Sequence, residues 1–173
     1  MNTLIKRGTL PGLAAIFIGF IFLAGCQQQK DYTKEYKPLG DKYVEVWNGE
    51  NPDNLDAIMS KDFVYHANSN PTVNGIEGIK EVIASFRSAF PDAKLVVDDE
   101  IFSENKAAAR WVYTGTNTGP GEMPPTGKSV RIWGISHFRF ENGKIAEEWV
   151  AFDNQSMMEQ LGYTMNPPSE KKK

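Results

Sequence analysis

The chain has 173 residues, 40% of them hydrophobic and 12% aromatic, with a formal net charge of −3. That length suits one domain with a real apolar core, and it argues against a disordered chain or two full domains. Lys6 and Arg7 fall in a segment expected to be removed, which takes the remainder to −5 and, with no basic stripe present, excludes nucleic acid as an expected partner. Cys26 is the only cysteine, so neither an intramolecular disulfide nor a thiolate metal site can form. The two histidines, His66 and His137, are not in metal-ligand spacing. No metal and no cofactor is expected.

Residues 1–25 read as a signal peptide. Lys6 and Arg7 precede a fourteen-residue apolar run, Leu10 to Leu23, which is short for a membrane span. It ends in Leu23-Ala24-Gly25-Cys26, where small residues before a cysteine suit a signal peptidase and the thiol can accept a diacylglyceryl group. This stretch resembles a bacterial lipobox. Two or three acyl chains on Cys26 would hold the protein at a membrane, facing outside the cytoplasm. Residues 26–37 follow as a tether, 38–163 as the folded domain and 164–173 as a loose tail.

Within the domain, Leu39, Tyr43, Val46 and Trp47 form one apolar stripe of a helix beginning near Tyr36. Asn48-Gly49 ends it, and Asn51-Pro52 starts another with Asn51 as its cap. Asp62 to His66 reads as a short strand, Asn68 to Gly75 as a loop, and Ile76 to Ala89 as a third helix closed by Phe90-Pro91-Asp92. Four strands come next: Lys94 to Phe102, Lys106 to Thr116, Ser129 to Phe140 and Lys144 to Phe152. The last two flank Asn142-Gly143, a strong hairpin signal. A helix from Asn154 to Leu161-Gly162 closes the domain. Helices followed by a strand meander predict an α+β fold, with N-terminal helices on one face of a curved antiparallel sheet.

Several phrases recur in a recognisable order. They are Trp47-Asn48, Asp62-Phe63-Val64-Tyr65-His66, Phe90-Pro91-Asp92, Ala109-Arg110-Trp111, Pro125-Thr126-Gly127-Lys128, Phe138-Arg139-Phe140, Glu147-Glu148-Trp149, Asp153 and Gln160-Leu161-Gly162. Across roughly residues 39–162 the chain resembles the SnoaL-like polyketide cyclases, or ester cyclases, of the nuclear-transport-factor-2-like superfamily. The resemblance implies a cone, a bent sheet wrapped around helices with a central apolar pocket. It also implies an acid near the end of the last strand as general acid/base, and Asp153 is the residue that matches.

Regular pairing about Asn142-Gly143 sets Glu141 against Lys144 and sorts the final hairpin into two faces. One carries Phe140, Phe138, Ser136, Gly134 and Ile132 against Ile145, Glu147, Trp149, Ala151 and Asp153, and suits a pocket lining. The other carries Arg139, His137, Ile135 and Trp133 against Ala146, Glu148, Val150 and Phe152, and suits an outer surface or a homodimer contact. Glu147 would then sit near the open end or need Ser136, Trp111 or a tyrosine as partner, with Tyr43, Trp47, Trp111 and Trp149 as pocket wall. Asp153 has two readings, a catalytic acid with its pKa raised by apolar neighbours or a plain helix cap. His66 is its expected catalytic partner, against a reading in which it only bonds loop backbone. Asp99 opposite Arg110 reads as an ion pair, with oxyanion binding as the alternative. Three functions follow: aldol-type cyclisation of a small apolar carbonyl compound, capture of an apolar molecule without chemistry, and presentation of the outer sheet face to a partner.

Overall fold

The computed structural model describes residues 30–68, 71–122, 124–164 and 166. The signal segment, Cys26 and the C-terminal tail beyond 166 lie outside the described residues. Helix α1 (Thr33–Trp47) leads into a short turn and α2 (Leu55–Ile58). Then come β1 (Met59–Ala67), β2 (Val73–Asn74), α3 (Gly75–Ala89), β3 (Lys94–Phe102), β4 (Lys106–Thr116), β5 (Ser129–Glu141), β6 (Lys144–Phe152) and α4 (Asn154–Leu161). One sheet results, ordered β2-β1-β6-β5-β4-β3. Four of its neighbouring pairs are antiparallel, including one made by β2 inside the stretch expected to be a loop, but β1 runs parallel to β6. The first strand thus closes beside the last, a long-range pairing that no local turn announces.

Helix α1 starts before Tyr36 because Asp31 Oδ1 accepts from Thr33 N at 2.9 Å, adding a turn ahead of Pro38. Its Tyr43 and Val46 are buried against the sheet. Asn48 stops the helix and does a second job: its side chain donates to Leu95 O (2.9 Å) and accepts from Leu95 N (2.8 Å). It thereby replaces the missing neighbour of edge strand β3 and fixes α1 against it. Asn51 caps the next turn by accepting from Asp53 N at 3.0 Å. After α3, Asp92 accepts from Thr116 N and Oγ1 (2.6 and 2.7 Å), which holds its carboxyl below the usual range. At the far end Gln160 bonds both backbone groups of Arg131 and docks α4 on β5.

Asn142 and Gly143 both adopt positive φ (52° and 72°), the turn the sequence predicts, and Glu141 pairs with Lys144. Beyond Phe140↔Ile145 the pairing slips by one, to Arg139↔Glu147 and Phe138↔Glu148. Ala146 is the extra residue of a β-bulge, buried beside Ile145. A bulge adds one residue to one strand, so every later side chain of β6 changes face. This overturns half of the expected face assignment. Glu148, Val150 and Phe152 now join Phe138, Ser136 and Gly134 on the inner face, while Glu147, Trp149 and Ala151 turn outward with Arg139, His137 and Ile135. A second bulge in β3 leaves Asp99 opposite Arg110, but the extra residue Asp98 takes the guanidinium, with Arg110 Nε 2.8 Å from Asp98 Oδ1.

Candidate active site

The inner face of β3–β6, with α1 and α3 across it, lines a cavity open to solvent, with about 710 Å³ of empty space when the solvent at its mouth is included. Its walls are aromatic. Tyr43 and Trp47 come from α1, Phe86 from α3, Trp111 and Tyr113 from β4, and Phe138 and Phe152 from β5 and β6. Trp111 can lie flat across the sheet only because Gly134 stands beneath it: a Cβ there would come within 2.3 Å of the indole Cζ2. That placement brings Trp111 Nε1 within 3.0 Å of Ser136 Oγ, to which it donates.

Glu148 is the acid of this cavity, 3% exposed. Tyr43 Oη donates to its Oε2 at 2.8 Å. The Ser136 hydroxyl stands beside it as a second donor that favours the ionised form. Because Trp111 already occupies a lone pair of Ser136, the Ser136 proton is free to point at the carboxylate. Burial pushes the Glu148 pKa up to about 7, against the opposing pull of the Ser136 and Tyr43 hydrogen bonds. Burial and the nearby carboxylate push Tyr43 well above its ordinary value, so it remains a neutral donor. A carboxyl that titrates near neutrality, bonded by the Tyr43 hydroxyl in an apolar cavity, can take a proton from carbon and return it to oxygen.

Of the residues expected at the site, Tyr43, Trp47, Trp111 and Ser136 line this cavity together. The others do not. Glu147 faces outward, bonded to His66 Nε2 and Arg139 Nε, each at 2.9 Å. Burial would raise its pKa, but those two partners outweigh burial and hold it low. His66 also faces outward, because Phe63 and Tyr65 (0% and 6% exposed) take the inner positions of β1. Its ring stacks on exposed Trp149 at 5.2 Å, and Thr72 Oγ1 lies 3.3 Å from Nδ1. Asp153 is exposed and caps α4, accepting from Ser156 N at 2.9 Å, so the cap reading describes it and it is not brought to His66. Regular pairing alone would put Glu148 on the outer surface. The local signal is weak: Ile145-Ala146 and Glu147-Glu148 are both doublets and Trp149 to Phe152 is apolar throughout, so the pattern of this strand does not by itself fix its faces.

A six-stranded mixed sheet curved around helices and a central apolar cavity places the chain among cone-shaped α+β proteins of the nuclear-transport-factor-2 and ketosteroid isomerase type. Within that class, the model of the SnoaL-like polyketide cyclase family matches residues 39–161, and the chain belongs to that family. Among solved structures, TsrD from Streptomyces laurentii is 27% identical with a TM-score of 0.70, covering 77% of this chain and 98% of its own. IdmH from Streptomyces antibioticus, for which a polyketide cyclase role is proposed, is 26% identical with a TM-score of 0.63, covering 73% and 98%. A candidate SnoaL-like polyketide cyclase from Jannaschia sp. CCS1 shares the fold, with a TM-score of 0.72 at 20% identity over 82% and 99% of the two chains. Among curated proteins no significant match is found.

Proposed function

We propose that the domain performs acid/base chemistry on a small apolar carbonyl compound, with Glu148 as the proton-transferring group. The observation that carries this reading is the buried Glu148 carboxyl, held by Tyr43 with Ser136 beside it inside an aromatic cavity. Ionised Glu148 removes a proton alpha to a carbonyl. The carbanion attacks a second carbonyl of the same molecule, and protonated Glu148 returns the proton to the resulting alkoxide. Atoms and charge balance with no further reactant. Binding in the cavity supplies the proximity that ring closure needs. The fold alone does not select this chemistry, since the same cone serves many functions.

A direct test is proton–deuterium exchange at the alpha carbon of 1-phenyl-1,3-butanedione, followed by NMR. Wild-type protein should accelerate exchange, and Glu148→Gln should lose roughly 10²–10⁴-fold of the acceleration. Equal acceleration by both proteins would sink the proposal. Binding of the diketone with no accelerated exchange by the wild type would instead favour a carrier.

We also propose export and lipid anchoring through Cys26, on the strength of the Lys6-Arg7, Leu10 to Leu23 and Leu23-Ala24-Gly25-Cys26 sequence. Labelling with a palmitate analogue, lost in Cys26→Ser, is the expected result. Assembly with a second copy is proposed for the outer sheet face. Val96, Ile101, Trp133, Ile135 and Trp149 are exposed there, and Arg110–Asp98 and Arg139–Glu141 set both signs of charge around them for a two-fold mate. Sedimentation should show a dimer that Trp133→Lys converts to monomer, and a monomeric wild type would refute it.

A further inference from the structure

One buried polar atom in the cavity wall has no use within the protein. Tyr113 points inward from β4, is 4% exposed, and lines the cavity. Among the described residues its hydroxyl is the buried side-chain polar atom without a hydrogen-bond partner. Buried hydroxyls are normally satisfied, and leaving one unpaired costs free energy. The ring cannot swing toward a partner. Phe86 and Phe90 clamp it edge-on, at centroid distances of 6.0 and 5.9 Å and interplanar angles of 82° and 86°. Burial pushes the phenol pKa up, so the group stays an O–H donor.

Its position relative to Glu148 follows from the strand register. Ser136, which lies beside Glu148, is opposite Ala109, whereas Tyr113 is opposite Ile132. Four residues of β4 separate the two stations, roughly 13 Å of backbone. Trp111 lies between them as a flat wall over Gly134.

We propose that Tyr113 is a specificity residue, donating its hydrogen bond to an acceptor oxygen at the end of the ligand remote from Glu148. The ligand class is therefore narrowed. It is an extended, flat, largely apolar molecule with a carbonyl, ether or phenolic oxygen at its distal end, rather than a compact keto acid. This rests on the reading of the cavity as the ligand site, and it does not require that Glu148 be catalytic.

The test compares 2-methoxynaphthalene with 2-ethylnaphthalene, near-isosteres that differ by one acceptor oxygen, by calorimetric titration of the purified full chain. Wild type should prefer the methoxy compound about 5-fold, the size of one net hydrogen bond. Tyr113→Phe should bind both equally. Glu148→Gln should keep the preference, so failure of the acid/base reading leaves this result standing. Ligand-free Tyr113→Phe should unfold at or above the wild-type temperature, since it loses a donor that nothing in the protein uses. Equal wild-type affinities, a preference that survives Tyr113→Phe, or a destabilised ligand-free variant would each overturn the assignment.

Discussion

Glu148→Gln should make the protein more stable as the pH rises while removing its proton-transferring group. The Glu148 carboxyl has its pKa raised from 4.5 to about 7 in the folded chain, chiefly by burial. A raised folded pKa means that the native state binds the proton more tightly than the unfolded one. The stability it contributes is complete below pH 4.5 and is lost as pH climbs through about 7. The full excursion is about 3 kcal/mol. Glutamine matches the shape and accepts from Tyr43 but does not titrate. Urea unfolding of both proteins, followed by tryptophan fluorescence from pH 4.5 to 8.5, isolates the effect. Asp92 and Glu147, whose lowered pKa values act in the opposite sense, are common to both proteins and cancel. Wild type minus variant should fall by about 3 kcal/mol across that range, and turnover by wild type should rise over the same interval as the base form appears. A difference that stays flat with pH would mean that Glu148 is not the desolvated carboxyl described here.

Asp153→Ala should cost about 1 kcal/mol of stability through the lost cap of α4, with Asp153→Asn near neutral. Neither should slow exchange at the alpha carbon, and a large loss of rate in Asp153→Asn would restore that residue as a catalytic acid. Gly134→Ala should force the Trp111 indole off the sheet, releasing Ser136 from its donor. Lowered exchange activity and altered tryptophan fluorescence are the expected readouts, and unchanged values in both would refute the packing argument. Deleting Ala146 removes the extra residue of the bulge and leaves the pairings beyond it unchanged. Glu148-dependent exchange should therefore survive the deletion, and its abolition would count against this account of the hairpin.

Much of the architecture was legible because its signals are local. The apolar stripe of α1, the Asn51-Pro52 start, the Asn142-Gly143 turn and the strand runs of β3–β6 each lie within one stretch of chain. Tyr43, Trp47, Trp111 and Ser136, which meet in the cavity, sit on the apolar stripe of α1 and on strands whose hairpins set their register. Where the structure departs from expectation, the causes differ from residue to residue. The β1–β6 pairing is long-range, so nothing near Asp62 to His66 shows that Phe63 and Tyr65, rather than His66, face the helices. Asp153 carries both an N-cap signature and a family match, and only the position of Ser156 N separates the two.

The bulge at Ala146 is where these threads meet. On regular pairing Glu147 would enter the cavity and Glu148 would lie outside with His137. With one extra residue the roles exchange, and the two adjacent glutamates acquire opposite electrostatic fates. Glu147 gains His66 and Arg139 and stays ionised at the outer face, beside the exposed Trp149. Glu148 gains only neutral hydroxyl donors, which cannot offset its desolvation, and its pKa rises to about 7. The same peptide, Glu147-Glu148-Trp149, thus supplies a structural ion pair, a titrating acid and an exposed aromatic, because a single register shift decides which face each one meets.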